Sequence, residues 1–156
     1  MTSIFPTKVL LATDGSEDAA RARQAAIELC QKTGSELHVV HVGEPFYAIP
    51  AAEASMVAPY WGAGVYEDVE AELEREAQEL LDEEVERVRA DGGTVAQAHL
   101  RMGSAAGEIV ELAEEEDAGL IVVGSRGREG IRRALMGSVS EAVIRHAHCP
   151  VLVVRE

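Results

Sequence analysis

The chain reads as an α/β protein, a parallel sheet with helices on both faces. Three observations predict this. Short apolar runs alternate with longer amphipathic runs along the whole sequence. Two apolar runs, LIVVG (120–124) and PVLVV (150–154), contain no charged residue, as strands covered on both faces do. Each amphipathic run stands between two apolar ones, and helical crossovers of that kind make neighbouring strands parallel.

The elements follow in order. KVLLAT (8–13) is strand-like and ends in the turn sequence DGSED. Ser16 can cap the next helix, with Glu17 and Asp18 in the first turn, where the helix dipole favours acids. That helix runs to about Thr33, and Gly34 stops it. ELHVVHV (36–42) is the second strand. Residues 43–66 contain Pro45, Pro50, Pro59, Gly62 and Gly64 and read as a long loop or partly ordered flap. The second helix covers about 67–90, with Val69, Leu73, Ala77, Leu80, Leu81, Val85 and Val88 at helical spacing, and Gly92–Gly93 end it. TVAQAHL (94–100) is the third strand. Ser104 caps a helix to about Asp117 whose apolar face is Ile109, Val110, Leu112 and Ala113. LIVVG is the fourth strand, SVSEAVIRHAH (138–148) a short helix and PVLVV the last strand. No repeat or low-complexity segment interrupts this pattern, so residues 1–156 are expected to form one domain.

Composition narrows the function. Hydrophobic residues make up 47% and aromatics only 4%, so the core must be aliphatic. A formal net charge of −14 argues against a general nucleic-acid or membrane-surface partner, which needs a basic footprint. The acid is concentrated in 67–91 and 111–117, where it reads as a solvated helix face; a high-salt habitat is the alternative. No apolar run approaches the roughly 18 residues of a membrane span. MTSIFPTKVLLATDG has no basic region of the kind that opens a secretory signal. Cys30 and Cys149 have no metal or redox spacing and read as free thiols. These features predict a cytoplasmic protein.

In a doubly wound sheet, ligands bind beyond the carboxyl ends of the strands, where strand order switches. Three segments stand at such ends: TDGS (13–16), HVGEP (41–45) and GSRG (124–127). The last opens GSRGREGIRRALMGS (124–138), in which glycines permit close backbone approach and positive φ angles around an anion. Gly137 and Ser138 begin a helix, whose N-terminal N–H groups favour negative charge, and Ser138 and Ser140 offer hydroxyls. Arg126, Arg128, Arg132 and Arg133 are four of the chain's 14 basic residues, a local cationic patch in an acidic protein. The patch suits a phosphate ligand or an acidic partner; a solvated surface connection would read the same way. It is not a P-loop, since no Gly-Lys-Ser/Thr occurs, nor the dinucleotide fingerprint, which follows a first strand.

The spacing Gly124-x2-Gly127-x9-Gly137-Ser138 resembles the nucleotide-binding signature of the universal stress protein family. KVLLATDGSEDA, HVVHV and GSVSEAVIRHAHCPVLVV are similar to that family's first strand and loop, second strand, and last helix and strand. The resemblance covers essentially the whole chain and is least constrained over 43–66. It implies a flavodoxin-like or Rossmann-like fold with strand order 3-2-1-4-5 and a homodimer through the last strand (150–154). Family members that keep the glycine signature bind ATP, and this sequence keeps it. By position, the resemblance places Thr13 and Asp14 near ribose and phosphates and Val42 against adenine. It sets Gly124, Arg126, Gly127, Gly137, Ser138, Val139 and Ser140 around ribose and phosphates. Asp14 could also help hold a magnesium ion riding on the phosphates; otherwise it is a turn-capping aspartate.

The remaining candidates are weaker. His146 and His148 do not share a helix face and are not expected to bind metal together. His38, His41 and His99, in the second and third strands, read as structural. The end of the third strand, HLRMG, lacks the acid of a response regulator. The first loop is too acidic, and aromatics too few, for a flavodoxin. No general base is evident, so at most slow ATP hydrolysis is expected. The sequence thus predicts an ATP-binding stress-response protein, a regulatory or interaction module with an unidentified protein partner. The alternative is a dimeric scaffold that works without nucleotide.

Overall fold

The computed structural model describes residues 2–46, 52, 55, 56, 59, 65–126 and 136–155. Most of the expected 43–66 loop lies outside these residues, as do Gly127, Arg128, Arg132 and Arg133. The elements are β1 (Lys8–Ala12), α1 (Glu17–Thr33), β2 (Glu36–Gly43), α2 (Val65–Ala90), β3 (Val95–Met102), α3 (Ala105–Glu115), β4 (Leu120–Gly124), α4 (Ser138–His146) and β5 (Val151–Val154). The sheet runs β3-β2-β1-β4-β5 with every neighbouring pair parallel, the expected order.

Alternation along the strands divides the core into two layers. Val9 and Leu11 of β1, Leu37 and Val39 of β2 and Val122 of β4 pack against Ala22, Ala26 and Ile27 of α1 and Leu81, Val85 and Val88 of α2. Leu10, Val40, Ile121 and Val123 point the other way, onto Ile109, Leu112 and Ala113 of α3 and Val143 of α4. Both faces of the central strands are therefore dry, which is why their sequences are continuously apolar. Each such Leu, Ile or Val stabilises the fold by about 1.5–3 kcal/mol relative to exposure.

Local chemistry accounts for the element ends. The Ser16 side chain accepts the Ala19 N–H at 3.2 Å, and Gly34 closes α1 in the left-handed conformation at φ 68. α2 begins at Val65, two residues before the expected start. There Tyr66 meets Phe46 edge-on, with ring centroids 5.2 Å apart, so the two ends of the long connection touch. Ser104 precedes α3 without a side-chain cap bond, and the helix stops at Glu115, short of the expected Asp117, which turns the chain at φ 52. The two sheet edges differ. β3 carries Gln97, His99 and Arg101, whereas β5 is apolar and leaves Leu152 38% exposed.

Candidate functional site

The chain leaves β1 on one side for β2 and β3, and later on the other for β4 and β5, so the crevice at the carboxyl ends of β1 and β4 is the switch point. A cleft of about 1300 Å³ opens there. Thr13, Asp14, Val42, Gly124, Arg126, Gly137, Ser138, Val139 and Ser140 all line it. These are the sequence-designated site residues apart from Gly127, which lies outside the described residues.

Thr13 is buried and tightly placed. Its hydroxyl donates to Glu84 Oε2 at 3.1 Å and accepts the Gly15 N–H at 3.3 Å, while its carbonyl accepts a bond from His41 Nδ1 at 2.8 Å. Asp14 Oδ1 accepts the Ser16 N–H at 3.0 Å, the turn-capping role the sequence allowed, and the side chain still borders the cleft. Gly15 takes a positive φ of 78 in the turn after Asp14.

The opposite lip is built around Asp18. It reads in the sequence as a first-turn acid of α1, but it is buried and bonds across the sheet. Its Oδ2 accepts the Ser125 hydroxyl at 2.7 Å and the Arg126 N–H at 3.0 Å, and the Arg126 Nε lies 3.6 Å away. Arg21 pairs with its other oxygen. Burial pushes the Asp18 carboxyl upward, but the Ser125 and Arg126 hydrogen bonds and the charges of Arg126 and Arg21 outweigh it and hold it below the usual carboxylate range. Asp18 thus fixes the start of the arginine-rich segment.

Gly124 has a different reason to be glycine than anion approach alone. A Cβ there would stand 2.8 Å from the Asp18 backbone carbon and 3.0 Å from the Ala19 nitrogen, so it lets α1 press against the end of β4. Gly137, at φ −78, needs no special conformation; its N–H bonds Ser125 O, tying α4 to the end of β4. The sequence offers Ser140 as a hydroxyl donor at the cleft; in the structure its buried hydroxyl is shared between Ser125 O and Gly137 O, both at 3.0 Å. Its contribution is to hold the α4 N-terminus in place. The backbone amides of that first helical turn carry partial positive charge beside the cleft.

Two features escaped the sequence reading. Glu84 sits at an apolar-face position of α2, 1% exposed, joined to Thr13, to Arg23 of α1 at 3.1 Å and to Arg87. The other is the outer wall of the cleft, where α2 supplies Glu76, Glu79 and Glu83. Helical spacing from Leu73, Ala77 and Leu80 could have placed those acids at the rim. Spacing from Ala77, Leu81 and Val88 puts Glu84 on the apolar face, but nothing local names the partners that satisfy it there, since Arg23 and Thr13 are 61 and 71 residues away. Cys30 and Cys149 are both free, and burial pushes the Cys30 thiol up to about 11, so it is not a nucleophile at neutral pH. Among the described residues no helix is long and apolar enough to cross a membrane.

Comparison with known proteins places this architecture. Residues 6–155 match the model of the universal stress protein family. Universal stress protein MJ0531 of Methanocaldococcus jannaschii is 36% identical over 151 residues, covering 96% of this chain and 82% of that protein. Among solved structures, the hypothetical protein MJ0577 superposes with a TM-score of 0.75 at 27% identity, covering 97% of both chains. A universal stress protein in complex with cAMP gives a TM-score of 0.66 at 29% identity, covering 97% of this chain and 98% of that one. The Archaeoglobus fulgidus universal stress protein in complex with dAMP gives 0.61 at 26% identity, covering 97% and 99%. With the sheet order, the switch-point cleft and a match spanning nearly all its residues, the chain belongs to the universal stress protein family.

Proposed function

We propose that the switch-point cleft binds an adenine nucleotide, ATP accompanied by Mg²⁺, and that the protein is a nucleotide-dependent regulatory module of the stress response. The observation that carries this reading is the convergence of separate segments on one cleft beside a helix N-terminus: Thr13 and Asp14, Val42, Gly124 and Arg126, and 137–140. Relatives of the same fold in complex with cAMP and dAMP support an adenine ligand. In this reading Val42 packs against the base, and Thr13 and Asp14 approach the ribose and phosphates. The α4 amides from Ser138 to Ser140, with Gly127 and Arg126, receive phosphate charge. Asp14, whose side chain borders the cleft, could share Mg²⁺, whose bound state keeps several waters. Hydrolysis in this reading is at most slow, since among the described cleft residues no side chain is arranged as a general base. Nucleotide occupancy would report to a protein partner in the cytoplasm.

The direct experiment is to denature the purified protein and chromatograph what is released, then titrate ATP-Mg²⁺ into stripped protein. Adenine nucleotide in the supernatant and saturable binding are expected. Absence of both would leave the nucleotide-independent scaffold.

The dimer belongs to the same proposal. β5 is an uncovered apolar edge within this chain, and two copies can pair such edges about a two-fold axis. Val151 and Val153 pack on the second core layer, so lysine there would damage the fold. Leu152, on the other face, is the cleaner probe. Leu152→Lys should give monomers by light scattering, and a wild-type monomer at micromolar concentration would refute the assembly.

A further inference from the structure

On the face of the sheet covered by α3, away from the cleft lining, three chemistry-bearing side chains converge: His38 of β2, His99 of β3 and Glu116 just past the end of α3. His38 is 4% exposed, and the other two are half-buried. His38 Nδ1 lies 3.2 Å from His99 Nε2 and 4.0 Å from Glu116 Oε2, and one ligand atom from each residue falls within 4.8 Å of the others. Two imidazole nitrogens on one tetrahedral zinc ion stand about 3.3 Å apart, given the usual zinc–nitrogen bond. The histidine pair already has that spacing, and Glu116 needs to approach by at most about 1.5 Å to complete a third vertex.

The surroundings favour ligand forms of the rings. Glu36 Oε2 lies 3.4 Å from His38 Nε2, so a proton on Nε2 points at that carboxylate and leaves the Nδ1 lone pair directed at His99. This is the outer arrangement that orients metal-bound histidines. The 5.4 Å between ring centroids is close to the 3.2 Å gap plus the two ring radii, so the nearly coplanar rings meet edge to edge. Without an ion, His99 Nε2–H donates to His38 Nδ1. With one, that proton moves to His99 Nδ1 and both rings tilt toward Glu116. Lys8 Nζ, 3.5 Å from Glu116, competes for the carboxylate, but its side chain is 41% exposed and free to turn outward. The exposed side of Glu116 gives the ion a path in.

We propose that His38, His99 and Glu116 form a binding site for a borderline divalent ion, Zn²⁺ by its two imidazoles and one carboxylate, with water in the open position. The site links β2, β3 and α3 and does not depend on the nucleotide reading.

The test uses the full chain without nucleotide and Co²⁺ as a spectroscopic stand-in for Zn²⁺. One equivalent of Co²⁺ should give the intense visible absorption of a four-coordinate site, and Zn²⁺ should displace it. His99→Gln and Glu116→Gln should each weaken binding at least about tenfold, since loss of even an outer-shell partner costs 10- to 100-fold. Glu116→Gln alters a half-exposed side chain and keeps the test decisive if His99→Gln disturbs folding. A double His146→Ala, His148→Ala variant should bind as the wild type does. A weak six-coordinate spectrum, wild-type affinity in Glu116→Gln, or loss of binding only in the His146/His148 variant would each overturn the assignment.

Discussion

The two walls of the cleft are built on opposite electrostatic terms. The inner wall, at the ends of β1 and β4 and the start of α4, presents backbone amides, small residues and hydroxyls. Apart from Asp14, which borders the cleft, its carboxylates, Asp18 and Glu84, are buried behind it, each neutralised by arginine. The outer wall, on α2, presents Glu76, Glu79 and Glu83 to the opening. Acid on the inner wall therefore organises the site from behind, whereas acid on the outer wall acts on whatever enters. A count of charges cannot tell these roles apart, because position relative to the surface decides them.

The largest effect should come from removing an inner-wall support. Glu84→Ala removes one of two carboxylates from Arg23, which keeps Asp91 at 2.9 Å, and the acceptor of the Thr13 hydroxyl; losing a hydrogen bond to a charged group costs about 1.5–3 kcal/mol. Urea unfolding should show that loss. A change under about 1 kcal/mol would mean that the network does not hold α2 to α1.

Next is Gly124→Val, whose side chain would collide with the α1 backbone. A cost of about 1–3 kcal/mol is expected, together with loss of ATP binding. In contrast, a bulky residue at Gly137, whose φ is ordinary, should leave the melting temperature nearly unchanged while blocking the ligand. Equal thermal losses for the two variants would erase the distinction between a packing glycine and a ligand-approach glycine.

Arg126→Ala tests whether the inner wall's cation serves Asp18 or the ligand. In the proposed site the loss of a charge-assisted contact weakens ATP roughly 10- to 100-fold, and added salt recovers little of it. Arg128, Arg132 and Arg133 should each matter less and respond more to salt. Equal, salt-erased losses for all four in calorimetric titrations would reduce Arg126 to part of a diffuse patch.

Acid should loosen the lip held by Asp18. Its folded-state pKa is depressed, so its contribution is fully present above the unfolded value near 4 and is lost as pH falls through the folded value. The protection factor of the Arg126 amide against hydrogen exchange should therefore fall below about pH 4, and Asp18→Asn should flatten that profile. An unchanged profile in Asp18→Asn would assign the acid response to other carboxylates.

The smallest effect belongs to the outer wall. At ~10 Å in water one charge contributes about 0.4 kcal/mol, so Glu76→Gln, Glu79→Gln or Glu83→Gln should each tighten ATP roughly twofold at low salt. High salt should remove the gain. Weaker binding instead would indicate that these acids help hold the cation that accompanies the phosphates.

Much of this protein was determined by local sequence alone. The strand and helix runs, the Ser16 and Gly34 ends of α1 and the positions of three cleft segments follow from periodicity, capping chemistry and motif spacing, all short-range properties. The strand order came instead from family resemblance, and the sheet has that order. What only the tertiary structure decided are the long-range polar contacts. Asp18 looks like any first-turn acid until Ser125, 107 residues later, is brought to its carboxylate. Glu84 looks like an unsatisfied acid on an apolar face until Thr13 and Arg23 are brought to it from other elements. Gly124 carries its packing role because α1 crosses behind it, and Ser140 turns its hydroxyl inward because β4 ends beneath α4. The physical reason is common to all four. A polar group's role depends on which partner replaces the water it loses, and that partner is set by how the elements pack.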